Sequence, residues 1–223
     1  MKKSSGFRSH SADASPRLVK PRKTPVQARS NETVHAIREA TIQVLLETGA
    51  QRLTTTRVAQ RAGVSVGTLY QYFPNKNALL HAVLNEHFSR IIDALEQACT
   101  ASHGCSVEEM ARTMTLAFID AKLRDARESV ALYSAAEFGD AQAILADVRK
   151  RGTAAIIRML RSAPGARFPD VETTVMVLYT ALAATMRVVL ESGASKAMVA
   201  ATRRELVLLA EGLLTRASLS QRG

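Results

Sequence analysis

Between Thr54 and Lys76 the chain reads TTTRVAQRAGVSVGTLYQYFPNK, a stretch with room for little besides two very short helices joined by a tight corner. The threonines supply N-caps ahead of Arg57, Val58, Ala59 and Ala62, and Gly63 supplies the positive φ at which a helix turns off. Ser65 then caps a second helix, which Pro74 closes because its ring disfavours helical geometry at the residue before it. Ala59 sits where the two helices cross most closely, and Val58, Val64 and Leu69 form a small apolar seam. Two helices at that spacing make a helix-turn-helix. Ahead of it, Val34, Ile37, Thr41, Val44 and Leu45 recur at three- and four-residue steps, which predicts a helix over 31–48 that starts near Ser30 or Asn31 and stops at Gly49.

The second short helix carries three of the chain's ten aromatic residues, Tyr70, Tyr72 and Phe73, although a core spreads its large rings through separate gaps. Leu69 and Phe73, four apart, share a face that points into the small core. Val66, Gly67, Thr68, Tyr70, Gln71 and Tyr72 lie on the other side, a mixture that suits neither a buried helix nor a merely solvated one. Gly67 costs about 1 kcal/mol of helix propensity relative to alanine, which is accounted for if a phosphate backbone or base edge approaches there. Asn75 caps the next helix, and Lys76 at its start sets an ammonium beside free backbone N–H groups, an arrangement that meets a phosphate.

The run TTTRVAQRAGVSVGTLYQYFPNKNALL resembles the DNA-binding motif of the tetracycline-repressor (TetR) family, and the match extends over about 60 residues, 31–91. The resemblance implies that Thr55 contacts a phosphate, that Tyr70 and Lys76 form a phosphate-binding pair, and that Val66, Gly67, Thr68, Gln71 and Tyr72, behind the Ser65 cap, form the major-groove face. With only 17 glycines and prolines the composition favours helix over a strand-rich architecture, so the chain reads as all-α, and the resemblance implies a three-helix DNA-binding domain followed by a larger helical domain for ligand binding and dimerisation. The last two long helices, about 170–191 and 195–217, would form a four-helix dimer interface, so that the homodimer meets double-stranded DNA at an inverted repeat. A small-molecule inducer in the C-terminal domain would alter the separation of the two reading heads through the helix that begins at Asn75.

The remaining sequence bounds the alternatives. Of the net charge of +10, residues 1–30 hold +7, with eight Lys or Arg against Asp13 alone. That stretch contains Pro16, Pro21 and Pro25, has almost no large apolar residues and shows no helical period, so it reads as a disordered basic tail in which Lys20, Arg22, Lys23 and Arg29 lie near the duplex. It has no apolar stretch of the kind a secretory signal needs. The most apolar segment, Thr173–Met186, falls short of the roughly 20 residues of a membrane helix, so no membrane is expected and the protein is read as cytoplasmic. Residues 92–223 are close to neutral, with sixteen basic against fifteen acidic side chains, which weighs against the competing reading of a sequence-independent nucleoid-type DNA-binding protein.

Helical periods are read over 76–101, 106–123, 127–138, 140–162, 170–191 and 195–217. In the penultimate helix Val171, Val175, Leu178, Leu182 and Val189 form one stripe and Met176, Tyr179, Ala183, Met186 and Leu190 another, wider than one buried face requires. In the last, Val199, Leu206, Leu209, Leu213 and Leu214 offer a matching surface. Met114, Phe118, Tyr133, Phe138, Met159 and Tyr179 are candidates to line an apolar cavity and equally candidates for plain core. Cys99 and Cys105 flank His103 at a spacing that matches no common zinc site. No catalytic, cofactor or metal signature stands out, and neither enzyme activity nor a cofactor is expected.

Overall fold

The computed structural model describes residues 25–138 and 141–220. Their helices are α1 (Pro25–Thr48), α2 (Thr55–Ala62), α3 (Val66–Tyr72), α4 (Lys76–Ala101), α5 (Val107–Leu123), α6 (Ala126–Phe138), α7 (Gln142–Leu160), α8 (Val171–Glu191) and α9 (Lys196–Ala217). Side chains set many of the starts: Thr54, Ser65, Asn75, Ser106, Asp170 and Ser195 each accept a hydrogen bond from the backbone N–H three residues on. Each thereby satisfies one of the donors that a first turn leaves open. The all-α expectation holds apart from β1 (Ala166–Arg167) and β2 (Leu219–Ser220), which pair antiparallel over two residues.

The largest boundary difference is at the N-terminus. α1 begins at Pro25 rather than near residue 31, so the last part of the stretch read as a disordered tail is helical. Proline suits that first position, because the N–H it lacks would have no partner there. The rest of that tail, with Lys20, Arg22 and Lys23, lies outside the described residues, as does residue 139, between the helical periods read over 127–138 and 140–162.

α1 packs on α2 and α4, and α2 on α3, to form a head around the buried Ile37, Val44, Leu53, Val58, Leu69 and Leu79. α4 then runs without interruption into the body, where it packs against α5 and α7, while α5 packs on α9 and α8 closes on α6, α7 and α9. Ion pairs tie α4 to its neighbours along its length. Glu86 meets Arg38 of α1 at 2.9 Å, and Asp93 and Glu96 meet Arg151 of α7 at 2.6 and 2.7 Å. Between them the buried Glu128 of α6 takes His87 at 3.0 Å and also holds Arg90.

α8 corrects one expectation. As formed it spans 21 residues and is long and apolar enough, by length and composition, to cross a membrane. Its Val175, Leu178, Leu182 and Val189 are nevertheless buried in the body. The second stripe is also largely internal, since Tyr179, Met186 and Leu190 are buried, and the exposed large apolar residues of α8 are Met176, Val177 and Val188. On α9, Leu206 and Leu214 belong to the core, whereas Met198, Leu208 and Leu209 face outward.

Candidate nucleic-acid interface and body cavity

The corner between α2 and α3 is built from backbone. Gly63 adopts φ +68°, and its N–H reaches the Gln60 carbonyl at 3.3 Å while the Val64 N–H reaches the Ala59 carbonyl at 3.0 Å. These are the two bonds of a Schellman stop, which needs a residue that tolerates left-handed geometry. Two residues later the Ser65 hydroxyl accepts from the Thr68 N–H at 2.9 Å and pairs with the Thr68 hydroxyl at 2.8 Å. Across the corner the Thr55 hydroxyl meets the Tyr70 hydroxyl at 3.1 Å, fastening α3 to α2. Leu69 and Phe73 are buried, so α3 is held from behind.

Its other side is open. Val66, Gly67, Tyr70 and Gln71 are exposed, and Thr68 is half-buried. A Cβ built on Gly67 would meet only the Ser65 hydroxyl, at an ordinary 3.7 Å, so no neighbour within the described residues requires a glycine there. Tyr72, placed by the sequence on the outer face, is half-buried and packs against the core. Lys76 is half-buried too, and its ammonium donates to the Ala50 carbonyl at 3.2 Å, with two N–H groups remaining for another acceptor. Arg52 and Arg57, passed over in the sequence, are exposed beside this surface, and the Arg57 guanidinium donates to the Arg52 carbonyl at 3.1 Å. Their signal was position alone, one just before α2 and one in its first turn.

In the body, a cavity of about 310 Å³ lies among α4, α5, α6, α7 and α8. Of the residues expected around a ligand, Tyr133 and Tyr179 line it. Met114, Phe118 and Met159 are buried in the core, with the Phe118 ring 6.0 Å from that of Tyr179. The Phe138 side chain lies outside the described residues. Gly152 of α7 lets the chain approach closely here, since a Cβ would come within 2.7 Å of the Tyr179 ring. Burial raises Tyr179 to about 12.

The cavity also contains a residue the sequence reading did not select. Lys122 is almost fully buried; its ammonium donates to the Tyr133 hydroxyl and faces the rings of Tyr133, Phe118 and Phe88 with centroids at 4.7, 5.4 and 5.8 Å. Burial lowers it to about 8. Its signal was periodicity, because Lys122 stands four residues after Phe118 and eight after Met114 on the buried stripe of α5. The cysteines read as ordinary thiols, since burial pushes Cys99 up to about 12 and also raises Cys105. Among the described residues no cluster of His, Cys, Asp and Glu could hold a metal ion.

A three-helix head with an open, capped third helix, continued by α4 into a larger helical body, defines a helix-turn-helix regulator. Residues 37–83 match the family model described as bacterial regulatory proteins, tetR family, and residues 106–214 match the tetracyclin repressor-like C-terminal domain. The chain belongs to the tetR family of bacterial regulatory proteins. A curated relative, the HTH-type transcriptional repressor KstR of Mycobacterium tuberculosis, is 38% identical over 100 residues, 42% of this chain and 44% of its own length. The HTH-type transcriptional regulator BetI of Escherichia coli is 39% identical over 57 residues, 26% of this chain and 29% of that protein. The chain thus spans less than half the length of the curated relatives it matches. Among solved structures, a tetR-family regulator from Mesorhizobium loti superposes with a TM-score of 0.69 at 18% identity, covering 86% of this chain and 99% of that one. The fatty acid degradation regulator FadR of Bacillus halodurans does so at 0.60 and 17%, covering 80% and 97%. At these identities the superpositions show the shared fold.

Proposed function

We propose that the chain is a ligand-released repressor that binds an inverted-repeat operator as a homodimer in the cytoplasm. Residues 31–91 act as the reading domain and 92–223 as the ligand-binding and dimerisation domain. The observation that carries this reading is the outer face of α3. It is exposed, held from behind by Leu69 and Phe73 and tied to α2 by the Thr55–Tyr70 pair, and it carries a glycine for which the described chain gives no packing reason. In this reading Thr55, Tyr70 and Lys76 approach phosphates, joined by Arg52 and Arg57, while Val66, Gly67, Thr68 and Gln71 meet base edges. Tyr72, half-buried, braces the end of α3 and contributes the edge of its ring.

Dimerisation is supported by where the body leaves apolar surface uncovered. Met176, Val177 and Val188 on α8 and Met198, Leu208 and Leu209 on α9 are 40 to 61% exposed. A two-fold partner on these helices would cover them and present two copies of α3 to successive major grooves. The names of relatives that describe repressors support the direction of regulation. The test is selection from random duplex DNA by the purified full-length chain. A palindromic site with half-sites about one helical turn apart is expected, and recovery of no symmetric site would overturn the reading.

A further inference from the structure

We propose that the cavity among α4, α5, α6, α7 and α8 is a receptor for a small apolar monocarboxylate, with the Lys122 ammonium as the partner of the carboxylate. The proposal deepens the ligand-released reading above and rests on it for the consequence, though not for the binding.

Charge is the first ground. The lining contains three cations, Lys122, Arg149 and Arg187, and no carboxylate. The three are placed differently. Arg149 and Arg187 stand exposed at the mouth, between α7 and α8, and Arg187 pairs with Glu191 at 2.6 Å while lying over the Tyr133 ring. Lys122 is 5% exposed and belongs to the buried part of the lining with Phe88, Tyr133 and Tyr179. Exposed cations in water attract an anion and orient its approach, whereas a buried cation can form a short, desolvated pair with it.

The second ground is the unfinished coordination of Lys122. An ammonium has three N–H donors, and one goes to the Tyr133 hydroxyl. Ring faces attract the charge but accept no strong hydrogen bond from it. A buried cation held by one hydroxyl and three rings is costly to maintain, and a carboxylate oxygen entering the cavity supplies what is missing. A monoanion fits better than a phosphate ester, because the buried part of the lining offers one full charge beside apolar side chains such as Val148, instead of a fan of donors. The volume of about 310 Å³ is near the lower end of small-molecule sites, which suits a compact ligand.

The experiment is calorimetric titration of the full chain with octanoate, decanoate, benzoate and naphthoate, each against its own alcohol, for the wild type, Lys122→Met and Tyr133→Phe. At least one acid should bind the wild type roughly 10- to 100-fold more tightly than its alcohol, the range of a hydrogen bond to a charged group. Lys122→Met should abolish that preference while leaving the alcohol's affinity in place, and Tyr133→Phe, which keeps the ammonium, should retain the preference. A purely structural lysine would leave the ratio of acid to alcohol the same in Lys122→Met as in the wild type. Equal binding of acid and alcohol by the wild type, a preference that survives Lys122→Met, or no binding across the series would each overturn the proposal. If Lys122→Met does not fold, the wild-type ratio together with Tyr133→Phe decides. The acid that binds is then added to the complex with the selected operator. Binding without release upholds the site and overturns ligand release, whereas release by compounds indifferent to Lys122 overturns the site and leaves ligand release standing.

Discussion

In the head, Arg52 and Arg57 stand in water and Lys76, the one lysine of residues 31–91, rests on a backbone carbonyl. In the body, Lys122 is taken out of water among three rings and a hydroxyl. The two arrangements differ in cost. An exposed cation keeps its hydration, adds little to stability, and gains affinity for a phosphate mainly by releasing counterions. A buried one is a standing penalty that the rest of the fold must offset. The difference teaches that head and body are tuned in opposite senses. Changes at the surface of the head alter binding and barely touch the fold, while the charge in the body lowers stability in exchange for a ready partner to an anion.

The largest expected effect tests whether the two regions are separable. Leu69 is fully buried behind α3, and Leu69→Ala should destabilise the head by about 2–5 kcal/mol. Thermal unfolding followed by circular dichroism should show the head melting early and DNA binding lost, with calorimetric binding of the carboxylate retained. Loss of both together would show that head and body fold as one unit and would end the comparison.

Lys122→Met should act in the opposite direction. Burial lowers Lys122 from 10.5 to about 8, and at about 1.36 kcal/mol per pH unit keeping it charged costs about 3 kcal/mol. The gain from its removal is reduced by the Tyr133 hydroxyl left without a partner, so urea unfolding at neutral pH should show the variant more stable by about 1–3 kcal/mol. The sign with pH follows. Between about 8 and 10.5 the unfolded chain still holds the Lys122 proton and the folded chain has lost it, so wild-type stability rises across that window relative to the variant. Below pH 8 both states are protonated and the penalty is fully present. A variant less stable than the wild type, or a difference that does not change with pH, would remove the strained charge from the account.

How much of this was legible in the sequence also divides between the two regions. The head was readable because its constraints are local: Thr54, Gly63, Ser65, Pro74 and Asn75 act within a few residues, and Leu69 and Phe73 share a face through helical spacing alone. The half-burial of Tyr72 and Lys76 was not legible, because how much water reaches them depends on contacts that form only in three dimensions, such as that of Lys76 with the Ala50 carbonyl. The body's helices were legible from periodicity and caps, but its cavity was not. Met114, Phe118, Met159, Tyr133 and Tyr179 look alike in sequence, and only the packing of five helices separates core from lining. Lys122 reads as a solvated lysine between Asp120 and Arg124 until its place on the apolar stripe of α5 is counted. Gly152 reads as a weakness in α7 until the Tyr179 ring is placed against it.

The smallest expected effect concerns the element common to both regions. α4 carries Lys76 at the DNA end and Phe88 at the cavity, and the ion pairs of Glu86, Arg90 and Asp93 hold it to α1, α6 and α7. Ala82→Gly or Ala94→Gly, each costing about 1 kcal/mol of helix propensity, should reduce the ligand's effect on operator affinity more than they reduce operator affinity itself. Full release retained in both variants would show that the signal does not depend on a stiff α4.

The most direct test of the central claim, that the outer face of α3 reads sequence while neighbouring cations supply affinity, is a paired titration of the selected site and a scrambled duplex by fluorescence anisotropy. Thr68→Ala and Gln71→Ala should each weaken the selected site by about 1–3 kcal/mol and leave the scrambled duplex nearly unaffected, whereas Arg57→Ala should weaken both about equally and lower the salt slope by about 1. Equal losses on the two duplexes for all three variants would contradict the account.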